Sequence, residues 1–295
     1  MSPFGIKLLR PRPRPPEIDL HMHSTQSDGS VDPAGLVREA LALGLKAISI
    51  TDHDTTSAIV EARRSAEGTG LEIVPGVELS TAEGKSDVHL LIYGFSDSEG
   101  LEQALLRFRE ARERRAEEMV GKLNALGIEI TMAEVRALAG PGAIGRPHLA
   151  QALVLMGAAE TSQEVFRRWL GHGGSAWVPK ERLTMEDAAE IARRHGGVTS
   201  LAHPATLRRD DLIPTLRDRG VQCLEVWHSR HDVECSKYYL ALARRHGLVP
   251  TGGSDYHGAH NPGVTMGCTR VAAEVLEELR AAFPSTPPSI SPSIP

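Results

Sequence analysis

Short runs rich in β-branched and other apolar residues recur along the chain, each followed by a polar or turn-forming stretch. EIDLHMH, KAISITD, LEIVPGVEL, VHLLIYGF, GVTSLAH, CLEVWH and LVPTGGSD are the candidate strands, seven in all. Helical periodicity follows several of them, as in DPAGLVREALALG, where Asp32 can cap the helix and Pro33 suits its first turn. Strands and helices in repeated alternation predict an α/β fold on a parallel sheet or closed barrel.

The alternation breaks between Phe95 and about Arg182, where GLEQALLRFREARERRAEEMVGKLNALG and TSQEVFRRWLG read as helix with no convincing strand. This predicts a helical insertion over 99–182 that divides the main domain into 17–98 and 183–283. Residues 1–16, rich in Pro and Arg, and 284–295, rich in Pro and Ser, read as disordered tails. The run from Arg107 to Glu118 mixes Arg and Glu at helical spacing and is expected to be a solvated face rather than a nucleic-acid contact.

Composition changes this picture little. Hydrophobic content of 41% and charged content of 24% are those of an ordinary soluble protein. A net charge of -5 excludes a general positive field for nucleic acid, so an anionic substrate needs a local positive site, which bound divalent cations would provide. Cys223, Cys235 and Cys268 are an odd set without CxxC spacing, so neither a disulfide framework nor a thiolate zinc site is expected. A reducing cytoplasm fits, and neither a signal peptide nor an apolar run of about 18 residues is seen, so no membrane contact is expected.

The candidate chemistry lies at the predicted strand ends. His21 and His23 are two apart on a strand, so both imidazoles face the same side and can grip one cation. TDHD follows a buried strand at once, placing Asp52, His53 and Asp54 where barrel enzymes keep reactive groups, with His53 the expected ligand. Asp28, in the loop after the first strand, is either a turn residue before Gly29 or a carboxylate completing a mixed N/O set. Glu78 stands in an apolar strand where an unpaired carboxylate would be costly. His89, taken alone, reads as a hydrogen-bonded core residue as readily as a ligand. His203 in AHP, and Asp255 and His257 in GGSDYH, repeat the arrangement of strand followed by ligand-type side chain. His172, His195, His246 and His260 match no such pattern and are expected at the surface or at helix ends. Neither GxGxxG, GxxxxGK[ST] nor GxSxG occurs in the required context, so no nucleotide-cradling loop or serine nucleophile is indicated.

DLHMHSTQSDGS, TDHDT, PGVELS, VHLLIYGF, AHP and GGSDYH, in this order and spacing, resemble the PHP (polymerase and histidinol phosphatase) phosphoesterases over most of the chain. The helical insert, GRPHLA and EVWHSRH look like the TrpH-like branch, which includes nucleoside 3',5'-bisphosphate phosphatases and 5'-to-3' exonucleases on short RNA or DNA. The resemblance implies a distorted (β/α)7 TIM-type barrel with two or three divalent ions of Mn, Fe or Zn, Mn favoured. His21, His23, Glu78 and Asp255 would hold one ion, Glu78 would bridge to a second on His89 and His203, and Asp28, His53 and His257 would hold the third. Arg146 and His148 resemble the branch's phosphate contacts, with a guanidinium fork suited to that anion. His228, Arg230 and His231 are further candidates for the phosphate, His228 or His231 as the acid, with Lys180 and Arg182 weaker. The implied reaction is phosphate-ester hydrolysis by a metal-bound hydroxide. Its substrate would be a phosphorylated small molecule or short oligonucleotide, with no stable protein partner. A histidinol-phosphate phosphatase and a non-catalytic metal- or nucleic-acid-binding module are the alternatives.

Overall fold

The computed structural model describes residues 15–84, 86–139, 144–179 and 183–284. The tails expected at 1–16 and 284–295 fall almost wholly outside them, as do Lys180 and Arg182. In chain order the elements are β1 (Ile18–Met22), α1 (Pro33–Leu43), β2 (Ala47–Ile50), α2 (Ala58–Ala66), β3 (Glu72–Ile73), β4 (Gly76–Glu83) and β5 (Ser86–Tyr93). Then come α3 (Ser98–Ala125), α4 (Met132–Ala139), α5 (Arg146–Leu155) and α6 (Ser162–Val165), which runs into a π-helical turn at Phe166–Leu170. The chain closes with α7 (Met185–Arg194), β6 (Val198–Leu201), α8 (Pro204–Leu207), β7 (Cys223–Trp227), α9 (Val233–Arg245), β8 (Val249–Gly252) and α10 (Ala273–Ala281).

Local sequence accounts for the helix ends. Asp32 accepts a hydrogen bond from Gly35 N at 2.5 Å, Pro33 opens α1, and Gly44, with φ 72, closes it. Asp97 caps α3 through Gly100 N, and Thr184 with Asp187 forms a reciprocal capping box on α7.

The strands form two sheets, β1-β2-β3 and β4-β5-β6-β7-β8. The expected run LEIVPGVEL is in fact two strands. Pro75 has no N–H for a ladder, and the chain breaks there into β3 and β4, so eight strands stand where seven were expected. The sheets are also not wholly parallel, since β5 is antiparallel to both β4 and β6. No helix separates β4 from β5, and a tight hairpin pairing Glu83 with Ser86 can join only antiparallel strands.

The sheets meet at two seams, and both carry ligand-type residues. Met22 bridges Tyr256, with Asp255 N donating to His21 O at 2.8 Å and His23 N to Tyr256 O at 2.9 Å. At the other seam His53 bridges Glu78, and Asp54 N donates to Glu78 O at 3.0 Å.

Apolar side chains of the strands and surrounding helices form the main core, including Ile18, Leu20, Leu79, Leu90, Ile92, Leu201 and Leu224, all at most 1% exposed. Met119 and Leu123 of α3 instead pack with Val135, Leu149, Leu153 and Val165 in a second buried cluster. Among the described residues no helix is long and apolar enough to cross a membrane.

Candidate metal centre

His21 and His23 leave the same face of β1 with ring centroids 5.3 Å apart, and neither is exposed at all. Asp255 reaches them because Gly253 lets the end of β8 lie against β1. A Cβ at Gly253 would sit 2.3 Å from both the His21 backbone nitrogen and its Cβ. Asp54, His203 and Asp255 all have left-handed backbones, with φ of 54°, 31° and 58°. Such strain in residues with a Cβ persists only where surrounding contacts enforce it, and it clusters at functional sites.

Glu78 is the hub. Its Oε2 lies 3.3 Å from His21 Nε2, 3.1 Å from His23 Nε2 and 3.4 Å from His53 Nδ1. Its Oε1 lies 2.8 Å from His89 Nδ1 and 3.1 Å from His203 Nε2. Asp255 Oδ1 stands 3.4 Å from His21 Nε2 and 3.3 Å from His23 Nε2. On the far side of His23, Asp28 is 3.5 Å from His23 Nδ1, 3.6 Å from His53 Nε2 and 3.3 Å from His257 Nε2. All nine residues expected to bind metal thus meet in one cluster, His89 among them.

Burial opposes charge here, yet charge persists. Burial alone would raise the carboxyls of Asp28, Glu78 and Asp255. The imidazoles around them, among them His23 and His257 for Asp28, His89, His21 and His203 for Glu78, and His21 for Asp255, instead hold them well below the usual range. Burial pushes His21 and His23 down, but the carboxylates lift His21 well above its ordinary value and His23 to about 10. His53 goes the other way, to about 3, because burial outweighs Glu78 and Asp28 and because His23, 4.7 Å away, repels a second proton.

Two cavities open from this cluster. The first, about 200 Å³, runs from Asp28, His53 and His89 to Arg112 and Arg115 of α3 and Arg146 and His148 of α5. The second, about 560 Å³, lies between His148, Arg230, Asp255, His257 and His260. His228 is 2% exposed, with Nε2 3.4 Å from Asp255 Oδ2. His231 stands apart from both cavities. It stacks on Tyr239 with ring centroids 5.2 Å apart, points Nδ1 at Val226 O, and lines a separate depression with Trp227, His228 and Arg270.

Several residues at this site were not anticipated. The charged run on α3 was expected to be solvated, but it divides: Arg107, Glu110, Arg114, Glu117 and Glu118 are exposed, while Arg109, Arg112 and Arg115 turn inward. Arg112 bonds Asp54 and Ser80 and Arg115 donates to Val178 O at 2.9 Å, with burial lowering the Arg115 guanidinium to about 10. Their three-residue spacing puts them on one helix face, a signal present in the sequence but indistinguishable there from a solvated stripe. His260 is exposed, as expected, but its place on the rim of the second cavity, with Nδ1 2.9 Å from Asp28 O, was not foreseen. Glu225, fully buried on β7, hydrogen-bonds His21, and only its place in an apolar strand could have drawn attention to it.

Similarity to known proteins agrees with this geometry. The PHP domain pattern matches residues 19–121. The chain is 34% identical over 278 residues to the 3',5'-nucleoside bisphosphate phosphatase of Chromobacterium violaceum, covering 90% of this chain and 96% of that protein. It is 33% identical over 249 residues to the 5'-3' exoribonuclease Rnm of Escherichia coli, covering 81% and 84% respectively. A crystal structure from Bifidobacterium adolescentis, assigned to the metal-dependent phosphoesterases, superimposes with a TM-score of 0.80 at 32% identity, covering 90% of this chain and 96% of that one. The fold is therefore the α/β PHP fold, and the chain belongs to the PHP domain family, close to its bisphosphate phosphatases and 5'-3' exoribonucleases.

Proposed function

We propose that this chain is a metal-dependent phosphoric ester hydrolase acting on nucleotides. It would remove the 3'-phosphate of nucleoside 3',5'-bisphosphates, trim short RNA or DNA from the 5' end, or do both. The observation that carries the reading is Glu78, whose two buried oxygens each face a different set of imidazoles beside a cavity lined by arginines.

The donor set fits divalent cations. His23 Nε2 and His53 Nδ1 are buried without a well-formed hydrogen bond, although His23 Nε2 is 3.1 Å from a Glu78 oxygen. They lie close enough to share an ion and are badly angled to share a proton. His21, His23, Glu78 and Asp255 would hold one ion, Glu78 with His89 and His203 a second, and Asp28, His53 and His257 a third. Such N/O ligands suit Mn, Fe and Zn alike, with Mn favoured. When bound, the ions would supply Lewis-acid charge and acidify water at the site.

The chain's own groups do the rest. Arg112, Arg115 and Arg146 present guanidinium groups to a phosphate in the first cavity, and His148, held by a hydrogen bond from Gly145 N, stands beside them. Arg230 faces the second cavity. His228 Nδ1 accepts from Arg230 N at 3.1 Å, so its Nε2 carries the proton and is the group to hand it to the leaving oxygen. His231, whose Nδ1 faces the Val226 carbonyl and not a ligand carboxylate as His228 Nε2 does, is not assigned that role. Helices α3 to α6, with their own buried cluster, form the insertion that brings the arginines over the metal centre. The two sheets, bridged at both seams, read as one distorted (β/α)7-type barrel.

The test is hydrolysis by Mn-loaded protein of adenosine 3',5'-bisphosphate, AMP, histidinol phosphate and a short 5'-phosphorylated RNA. Bisphosphate or RNA should rank first. Full activity after stripping all metal refutes the reading, and preference for histidinol phosphate replaces it with the amino-alcohol phosphatase alternative. Arg115→Ala should raise KM at least 10-fold if the guanidinium holds phosphate.

A further inference from the structure

We infer that Glu225 is a positioning residue for the metal centre, fixing which nitrogen of His21 faces the ions and holding His203 in a strained backbone conformation. The inference rests on the metal-centre reading above.

Glu225 sits in β7 between Leu224 and Val226 with no exposed surface. A carboxylate is costly in such a strand unless every oxygen is engaged. Both are: Oε1 is 2.8 Å from His21 Nδ1, and Oε2 accepts from His203 N at 2.6 Å. An ionised carboxylate only accepts, so His21 Nδ1 must keep its proton. Nε2 is then the nitrogen left for a cation, and it is the one that lies 3.3 Å from Glu78 Oε2 and 3.4 Å from Asp255 Oδ1. Carboxylates commonly act this way on metal-binding imidazoles, setting tautomer and orientation from behind.

The second oxygen works on the other half of the site. His203 has φ 31° and ψ 57°, a left-handed conformation disfavoured for a residue with a Cβ. The 2.6 Å bond from its N–H to Glu225 opposes relaxation, and His203 Nε2 then lies 3.1 Å from Glu78 Oε1. One side chain thus controls a histidine facing each oxygen of Glu78.

Glu225→Gln in the full chain tests this. Two donors, His21 Nδ1–H and His203 N–H, need two acceptors, and an amide offers one. The apoprotein titrated with MnCl2, with bound Mn counted by atomic emission, should keep the parent's number of ions per chain while affinity falls roughly 10- to 100-fold. Unchanged affinity would overturn the positioning role. Loss of one ion from the stoichiometry would also overturn it, by making Glu225 a ligand with His21 and His228, which lie within reach of a common ion. Parent protein that binds no Mn would sink the metal-centre reading itself, an outcome independent of Glu225. Should the variant fail to fold, 15N-detected imidazole spectra of the Zn-loaded parent decide the matter. His21 must show a protonated Nδ1 and an unprotonated Nε2, and the reverse assignment overturns the inference.

Discussion

The Asp52 carboxylate hydrogen-bonds Ser24 and Ser27 and no member of the proposed ligand set, yet its replacement should be felt throughout the loop that carries Asp28. Its carboxylate is 1% exposed and accepts from Ser24 N at 2.7 Å and from the hydroxyls of Ser24 and Ser27 at 2.6 Å each. Ser24 and Ser27 are themselves buried. Hydrogen bonds to a charged group contribute about 1.5–3 kcal/mol each, and a buried donor left alone costs about 1–3 kcal/mol. The two hydroxyls can rotate to other partners but the Ser24 amide cannot. Removing the charge also relieves the burial that raises the Asp52 carboxyl. Asp52→Ala should therefore destabilise by about 3 kcal/mol net, nearer the cost of one stranded amide than of three lost bonds. Asp52→Asn can keep all three contacts, its oxygen taking both bonds to Oδ1 and its amino group donating to Ser24 Oγ, so about 1 kcal/mol is expected. At about 2 °C per kcal/mol for a chain of this size, melting should drop by about 6 °C for Ala and about 2 °C for Asn. Calorimetry at pH 7 on chelator-treated protein measures this without metal linkage. Equal melting of Asp52→Ala and parent, or of Ala and Asn variants, would refute the role given to this carboxylate.

Three further outcomes are expected. Gly253→Ala would place a Cβ 2.3 Å from the His21 backbone, so the seam must open; Mn affinity should fall more than 10-fold, as read by titration of the apoprotein. Asp97 is held below its ordinary 3.8 by Gly100 N and by His195, so its contribution is present above pH about 4 and is lost as pH falls through the lower folded value. Asp97→Ala should then cost about 1 kcal/mol at pH 7, and the melting difference should shrink as pH falls below about 4 and vanish once the carboxyl is protonated in the folded state. Burial pushes the Cys223 thiol up to about 12, whereas Cys268 is exposed; mass spectrometry after iodoacetamide at pH 8 should find Cys268 alkylated and Cys223 untouched until denaturant is added.

The sequence alone determined which ligand-type residues stand at strand ends and most of the elements. Strand ends followed by His, Asp or Glu are short-range signals, and period-2 geometry was enough to put His21 and His23 on one face. The helix start at Asp32 is likewise local, because a cap and its amide are neighbours in the chain. What tertiary structure decided are matters of distance between segments far apart in sequence. The hairpin reversal at β5 turns on a connection too short for a helix, and only pairing reveals its direction. Arg112 and Arg115 looked like a solvated stripe because a helix pattern does not say which face another element covers. Glu225 was silent since one carboxylate in an apolar strand gains meaning only from partners 204 residues away at His21 and 22 away at His203. Residue type sets what chemistry is available; the folded chain sets which groups share a pocket, because burial and Coulomb energy depend on separations in space and not on order along the backbone.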